Sequence, residues 1–123
     1  MRKFRNIVAW QKADDLVVCI YKLTESFPES EIYGLTSQMR RAAVSVAASI
    51  AEGSARATLK DYVHFLFIAK SSLVEVEYYL HLVHRLVYLD GDSYHRITQA
   101  QEEAARVLYG LTQHIQHEMQ SRA

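Results

Sequence analysis

The chain has 123 residues, half of them hydrophobic, and its 14 basic side chains balance 14 acidic ones. One Pro and four Gly are too few to turn an all-β chain, and zero net charge excludes indiscriminate binding of nucleic acid or membrane by the whole surface. The single Cys19 cannot close an internal disulfide and suits a reducing cytoplasm.

The basic start, MRKFRN, is followed by an apolar run of only Ile7 to Trp10. That is too short for a secretory signal, and no window is apolar for long enough to span a bilayer. A cytoplasmic protein with no membrane partner is expected.

The spacing of apolar residues predicts a first helix from Val8 to about Ser26, with Trp10, Ala13, Val17, Ile20, Thr24 and Phe27 on its inner stripe. Asn6 is its predicted N-cap and Pro28 its stop. A short polar connection, Pro28 to Glu31, leads towards Gly34. The second helix follows with Thr36 or Ser37 near its cap, and it fades after Gly53. Thr58 should cap a third helix, with Asp61 completing a weak capping box. This helix should run to about Leu89 on a core row of Tyr62, Phe65, Ala69, Leu73, Val76, Leu80, Val83 and Val87. Gly91 is read as its end, and Asp92 or Ser93 as the cap of a fourth helix reaching about Gln120. That helix presents Tyr94, Ile97, Ala104, Leu108, Leu111 and Ile115. Four long amphipathic helices with short connections predict an all-α, antiparallel up-down-up-down bundle, one domain over residues 1–123.

The second helix is unusually thin. Ala42, Ala43, Ala47, Ala48 and Ala51 let neighbours approach closely, which reads as an inner helix. A row through Arg41, Ser45, Ala48 and Glu52 puts two charges and a hydroxyl on one face. Arg40 and Arg41 could contact phosphates, but Arg41 is better read as structural, paired with Glu75 or Glu77 of the third helix. Glu52 is read the same way, beside Gly53.

Helix three carries more apolar side chains than one bundle needs. Leu66, Phe67, Val74, Tyr78, Tyr79 and Leu82 flank its core row. A helix apolar around most of its circumference is buried on more than one side, so Leu66, Phe67, Val74, Tyr78 and Leu82 are the expected contacts with a second copy.

AWQKADDLV in the first helix, YKLTESFPESEIYGLTSQMRRAAVSVAASIAEG through the second and FLFIAKSSLVEVEYYL in the third resemble the 23S ribosomal RNA intervening-sequence proteins of bacteria. The likeness covers roughly Phe4 to Leu89, and its RRAAVS…IAEG centre is specific. It implies a four-helix bundle assembled as a ring-like homopentamer, with no enzymatic activity attached. It also implies kinship with the accessory protein of diversity-generating retroelements, whose basic pentamer binds nucleic acid and a reverse transcriptase. Two departures stand out. Ala47 and Ser49 replace the family's Pro and Asn, which should straighten the second helix and remove an amide, and this chain is neutral where the retroelement relatives are basic.

In an up-down bundle one pole collects Arg2, Lys3, Arg5, Lys12, Arg56, Lys60 and Arg122, opposed chiefly by Glu52, Asp61 and Glu118. The other pole has Glu25, Glu29, Glu31, Asp90 and Asp92 against Lys22, Arg85 and Arg96. Arg2, Lys3, Arg5, Lys12, Arg56 and Lys60 are therefore the candidate contacts for an RNA or DNA backbone, which cyclic symmetry would multiply. A solvated helix end is the competing reading of the same residues.

Glu77, His81 and His84, and the pair His114 and His117, have helical spacing, but no Glu-x-x-His of the bundle di-iron type occurs. No Gly-rich phosphate loop, GxSxG or HExxH is present, and Cys19 is read as a buried inert thiol. No cofactor or metal is implied. The sequence supports a non-enzymatic oligomer that associates with nucleic acid at its basic pole, or alternatively a scaffold that binds a protein partner.

Overall fold

The computed structural model describes residues 3–122, and among these it contains helices and no strand. A 3-10 turn, Phe4–Asn6, leads into α1, Val8–Thr24, and a second turn, Glu29–Glu31, leads into α2, Leu35–Ser54. Then come α3, Leu59–Arg85, and α4, Gly91–Ser121. The helices α1 and α3 each pack against both α2 and α4, which closes a four-cornered bundle.

Several predicted boundaries move, each for a local reason. Asn6 does not cap α1, because it belongs to the preceding turn and Ile7 takes the cap position without a side-chain bond. The helix ends at Thr24, whose hydroxyl donates back to the Ile20 carbonyl at 2.8 Å and accepts from Arg40 Nε at 2.9 Å. Neither Thr36 nor Ser37 caps α2. Gly34 holds the cap position, and Glu31 Oε1 accepts from the Leu35 amide at 3.3 Å. Thr58 does cap α3, accepting from the Asp61 amide at 3.1 Å.

The end of α3 differs most from expectation. The helix stops at Arg85, and Val87 turns left-handed with φ 62°. The Tyr88 amide then reaches back to the Val83 carbonyl and the Val87 amide to that of His84. These two bonds form a Schellman closure, with Val where Gly is usual. Gly91 therefore does not end α3; it is the first residue of α4. Asp90, not Asp92 or Ser93, is the cap, accepting from the Ser93 amide at 2.7 Å.

The core is filled by Leu16 and Ile20 of α1, Met39, Val46 and Ile50 of α2, Tyr62, Leu66, Val76, Leu80 and Val83 of α3, and Ile97, Ala104, Leu108 and Ile115 of α4. Full burial of one such aliphatic side chain stabilises by about 1.5–3 kcal/mol. The Ala- and Ser-rich middle of α2 lets α3 come close. Ser72 donates to Ser45 at 2.8 Å, and Gly53 meets α3 beside Tyr62 and Phe65. The helix runs unbroken through Ala47, where the resemblance leads one to look for a Pro.

Four side chains depart from their expected places. Cys19 is exposed, one position outside the α1 stripe set by Leu16 and Ile20. Val87 leaves the core row because the chain has already turned, and it is 82% exposed. Leu66 is fully buried in its own bundle, one turn after Tyr62, so it is not available to a second copy. Arg41 points outward from α2 and forms no ion pair with Glu75 or Glu77, which are also exposed. Its neighbour Arg40 is the one that binds structure. It reaches Thr24 and the Tyr21 carbonyl at 3.2 Å, with its guanidinium 4.6 Å from the Tyr21 ring centre.

Candidate nucleic-acid interface

The candidate site is built where the N-terminal segment crosses α2. Phe4 packs edge-on against Trp10 with ring centres 5.0 Å apart, and this pins residues 3–6 to the bundle. Gln11 donates to the Arg5 carbonyl at 2.8 Å and holds the turn. Opposite, the small side chains Ala48, Ala51 and Ala55 leave a cleft with Lys3, Phe4, Arg5 and Asn6 on one wall and Glu52 on the other. Lys3 and Arg5 are exposed, and the Arg5 guanidinium sits 5.0 Å from the Phe4 ring centre.

Beyond Glu52, Arg56 bonds the Glu52 carboxylate at 3.1 Å and lies 4.6 Å from the Phe65 ring centre. Lys60 follows on the exposed first turn of α3, whose N-terminus adds a partial positive charge. The structure thus gathers Lys3 and Arg5 about the last turns of α2, with Arg56 next to them and Lys60 one helix start further on. Lys12 is drawn away, to Glu103 of α4 at 3.2 Å, and Arg122 is paired with Glu118 at 2.6 Å. Arg2 lies outside the described residues.

Among the described residues at this end, Lys3, Arg5 and Lys60 form no ion pair, whereas Lys12, Arg56 and Arg122 do. Exposed pairs of this kind are worth about 0–1 kcal/mol, so neither Lys12 nor Arg56 is held tightly by its carboxylate. The Lys12–Glu103 pairing was not readable in the sequence, because it depends on how α1 and α4 align.

At the opposite end two groups titrate away from their ordinary values. Tyr88 donates to Glu31 Oε2 at 2.9 Å, and that bond pushes the phenol up. The Ser93 amide bond holds the Asp90 carboxyl down. Both shifts arise from bonds that fasten the connections between helices. Glu77, His81 and His84 do not come together as one group. His84 stacks on Tyr94 at 3.9 Å, and no group of three or more His, Cys, Asp or Glu side chains among the described residues could hold a metal.

A second concavity of about 390 Å³ lies between α3 and α4. Phe67 and Val74 line it, Tyr78 stands exposed beside it, and Leu82 is partly buried. Tyr109 of α4, which the sequence reading passed over, is 63% exposed on its other wall.

Fold and site together define a four-helix bundle with cationic side chains at one end, a class that carries many unrelated functions. Within that class the chain belongs to the 23S rRNA-intervening sequence protein family, whose model matches residues 5–110. A solved structure from Bacteroides thetaiotaomicron VPI-5482, described as a protein with unknown function from the S23 ribosomal protein family, is similar with a TM-score of 0.79. The two chains are 24% identical, and the match covers 86% of this chain and 96% of that one, a likeness of fold. No curated protein matches the chain. Among the described residues no helix is long and apolar enough to cross a membrane.

Proposed function

We propose that this chain is a non-enzymatic, ring-forming bundle that holds RNA or DNA by its phosphate backbone at the end built from Lys3, Arg5, Arg56 and Lys60. The observation that carries this reading is that Lys3, Arg5 and Lys60 stand exposed without an ion pair. An up-down-up-down helix order is part of the reading. It is supported by residues 3–6 lying beside Ala48 to Ala55 at one end, and by Tyr88 bonding Glu31 at the other. A ring of five copies, the number implied by the family resemblance, would repeat the cationic group around one rim. Long flexible cations without a free aromatic platform suit phosphate contacts, which position a nucleic acid without reading its bases. The exposed thiol of Cys19 suits a reducing cytoplasm.

The test is a salt titration of single-stranded RNA and duplex DNA binding to the purified chain. Binding should weaken steeply as salt rises, because each phosphate contact releases counterions. The triple variant Lys3→Gln, Arg5→Gln, Lys60→Gln should bind more weakly and flatten the salt slope by about 0.9 per lost contact on duplex DNA. An intact oligomer that binds neither probe at low salt would overturn the reading. A protein scaffold is the second reading, supported by the exposed apolar flank of Phe67, Val74 and Tyr78, and its partner binding would be nearly indifferent to salt.

A further inference from the structure

Helix α2 exposes only Gln38, Arg41, Val44, Ala48 and Glu52 among its 20 residues, a single narrow stripe along its outer side. An outward stripe of a bundle helix is normally charged throughout. This one is charged towards its ends and bare in the middle, where Val44 is 41% exposed and Ala48 has almost no side chain. The groove between α3 and α4 has the complementary character. Val74 and Phe67 are about half exposed in it, and Lys70 and Glu77 border them on α3 without an ion pair.

From these two surfaces we infer that the outer stripe of α2 in one copy docks in the α3/α4 groove of a second copy, antiparallel to α3. This rests on the oligomer of the proposed function and names the surfaces that form it. The charges set the direction. Both helices read base first and acid later, Arg41 then Glu52 on α2 and Lys70 then Glu77 on α3. With Val44 on Val74, a parallel seating sets Arg41 beside Lys70, whereas an antiparallel one sets Arg41 against Glu77 and brings Lys70 towards Glu52. The spacing agrees. Lys70 to Glu77 is seven residues, about 10.5 Å of helix, and Arg41 to Ala48 is the same. With Arg41 on Glu77, Ala48 falls level with Lys70, whose long side chain reaches one turn on to Glu52. Val44 then meets Val74 at the middle of the contact, and residues 3–6 of the first copy border it at Ala48. Joining two different surfaces of one chain gives a head-to-tail contact, which closes a ring when its rotation allows.

The experiment measures mass by light scattering on the full chain without nucleic acid. Arg41→Glu and Glu77→Arg each place like charges together, so each should lower the mass towards the 14.2 kDa of one chain. The double variant restores the pair in reverse and should restore the assembly. All four positions involved are exposed, and circular dichroism checks that each variant keeps its helices. In a Cys19→Ser background, Val44→Cys with Val74→Cys should form disulfide-linked multimers on oxidation. A monomeric wild type, single variants that assemble unchanged, or a double variant that stays dissociated would each overturn the inference. Salt-dependent RNA binding measured on the same samples separates the outcomes, since a monomer that binds RNA defeats this interface and leaves the basic-end reading standing.

Discussion

Gly53 gives the sharpest test of how α2 and α3 are packed. A Cβ added there would lie 2.6 Å from Phe65 Cβ, 3.2 Å from Tyr62 Cδ1 and 3.3 Å from the Tyr62 carbonyl oxygen. Carbon atoms in good contact sit about 3.5–4.0 Å apart, so the helices must part by roughly 1 Å. Phe65 Cβ cannot rotate aside, because it is fixed to its backbone, and Tyr62 is fully buried. Overpacking of this kind costs about 1–3 kcal/mol, against about 0.5–1 kcal/mol gained because Ala favours a helix over Gly. Gly53→Ala should therefore destabilise by about 1–2 kcal/mol, a fall of about 4–8 °C in Tm for a chain of this size. Gly110 in α4 supplies the control, since a Cβ there meets nothing within 4 Å. Gly110→Ala should stabilise by about 0.5–1 kcal/mol. Urea denaturation of both variants at one protein concentration, with m unchanged, reads the two signs directly. Equal stabilisation by both substitutions would refute the close approach at Gly53.

Two further outcomes follow from the connection between α3 and α4. Val87→Gly should stabilise the protein by about 1 kcal/mol, because a β-branched residue at φ 62° costs about 1–2 kcal/mol and its exposed side chain has little packing to lose; a lower urea midpoint would count against this. Asp90→Ala should lower the urea midpoint at pH 7, while Asp90→Asn keeps most of the cap. Because the Asp90 carboxyl is held below its ordinary 3.8, its extra stabilisation is present above that pH and is lost as pH falls through the lowered value. The difference between wild type and Asp90→Asn should then shrink in acid, and a difference that is flat with pH would show that the charge contributes nothing.

Helix number and type were legible because each helix repeats an apolar stripe at one period and Pro28 and Thr58 punctuate the chain unambiguously. The α3/α4 junction was not. Gly91 looks like a helix stop, yet the chain turns left-handed four residues earlier at Val87, whose residue type argues against that conformation, and Asp90 serves as the cap. Arg40 and Arg41 show a limit of another kind. Adjacent residues on a helix diverge by about 100°, and only the placement of α1 decides which guanidinium finds Thr24 and Tyr21 and which faces out. The basic end was legible as a cluster of cations opposed by Glu52 and Glu118, each four residues before its Arg, but the loss of Lys12 to Glu103 was not, because it depends on how α1 and α4 align.

The excess of apolar residues on α3 and the shortage of bulk on α2 are two aspects of one arrangement. Of the residues assigned to a second copy, Leu66 turns out to complete the core and Leu82 is partly buried, so the surplus shrinks to Phe67, Val74 and Tyr78. Those three remain about half exposed, which is more than a solvated helix face requires. On α2 the small residues on the inner side are explained by the contacts of Ser45 with Ser72 and of Gly53 with Phe65. Ala48 borders the cleft under residues 3–6, but the inner contacts place no demand on Val44, where a bundle that needed only its own core could carry Lys or Glu without loss. Small outward residues on one helix and apolar outward residues on another, framed by charges of opposite order, make self-association the simplest physical reason for both.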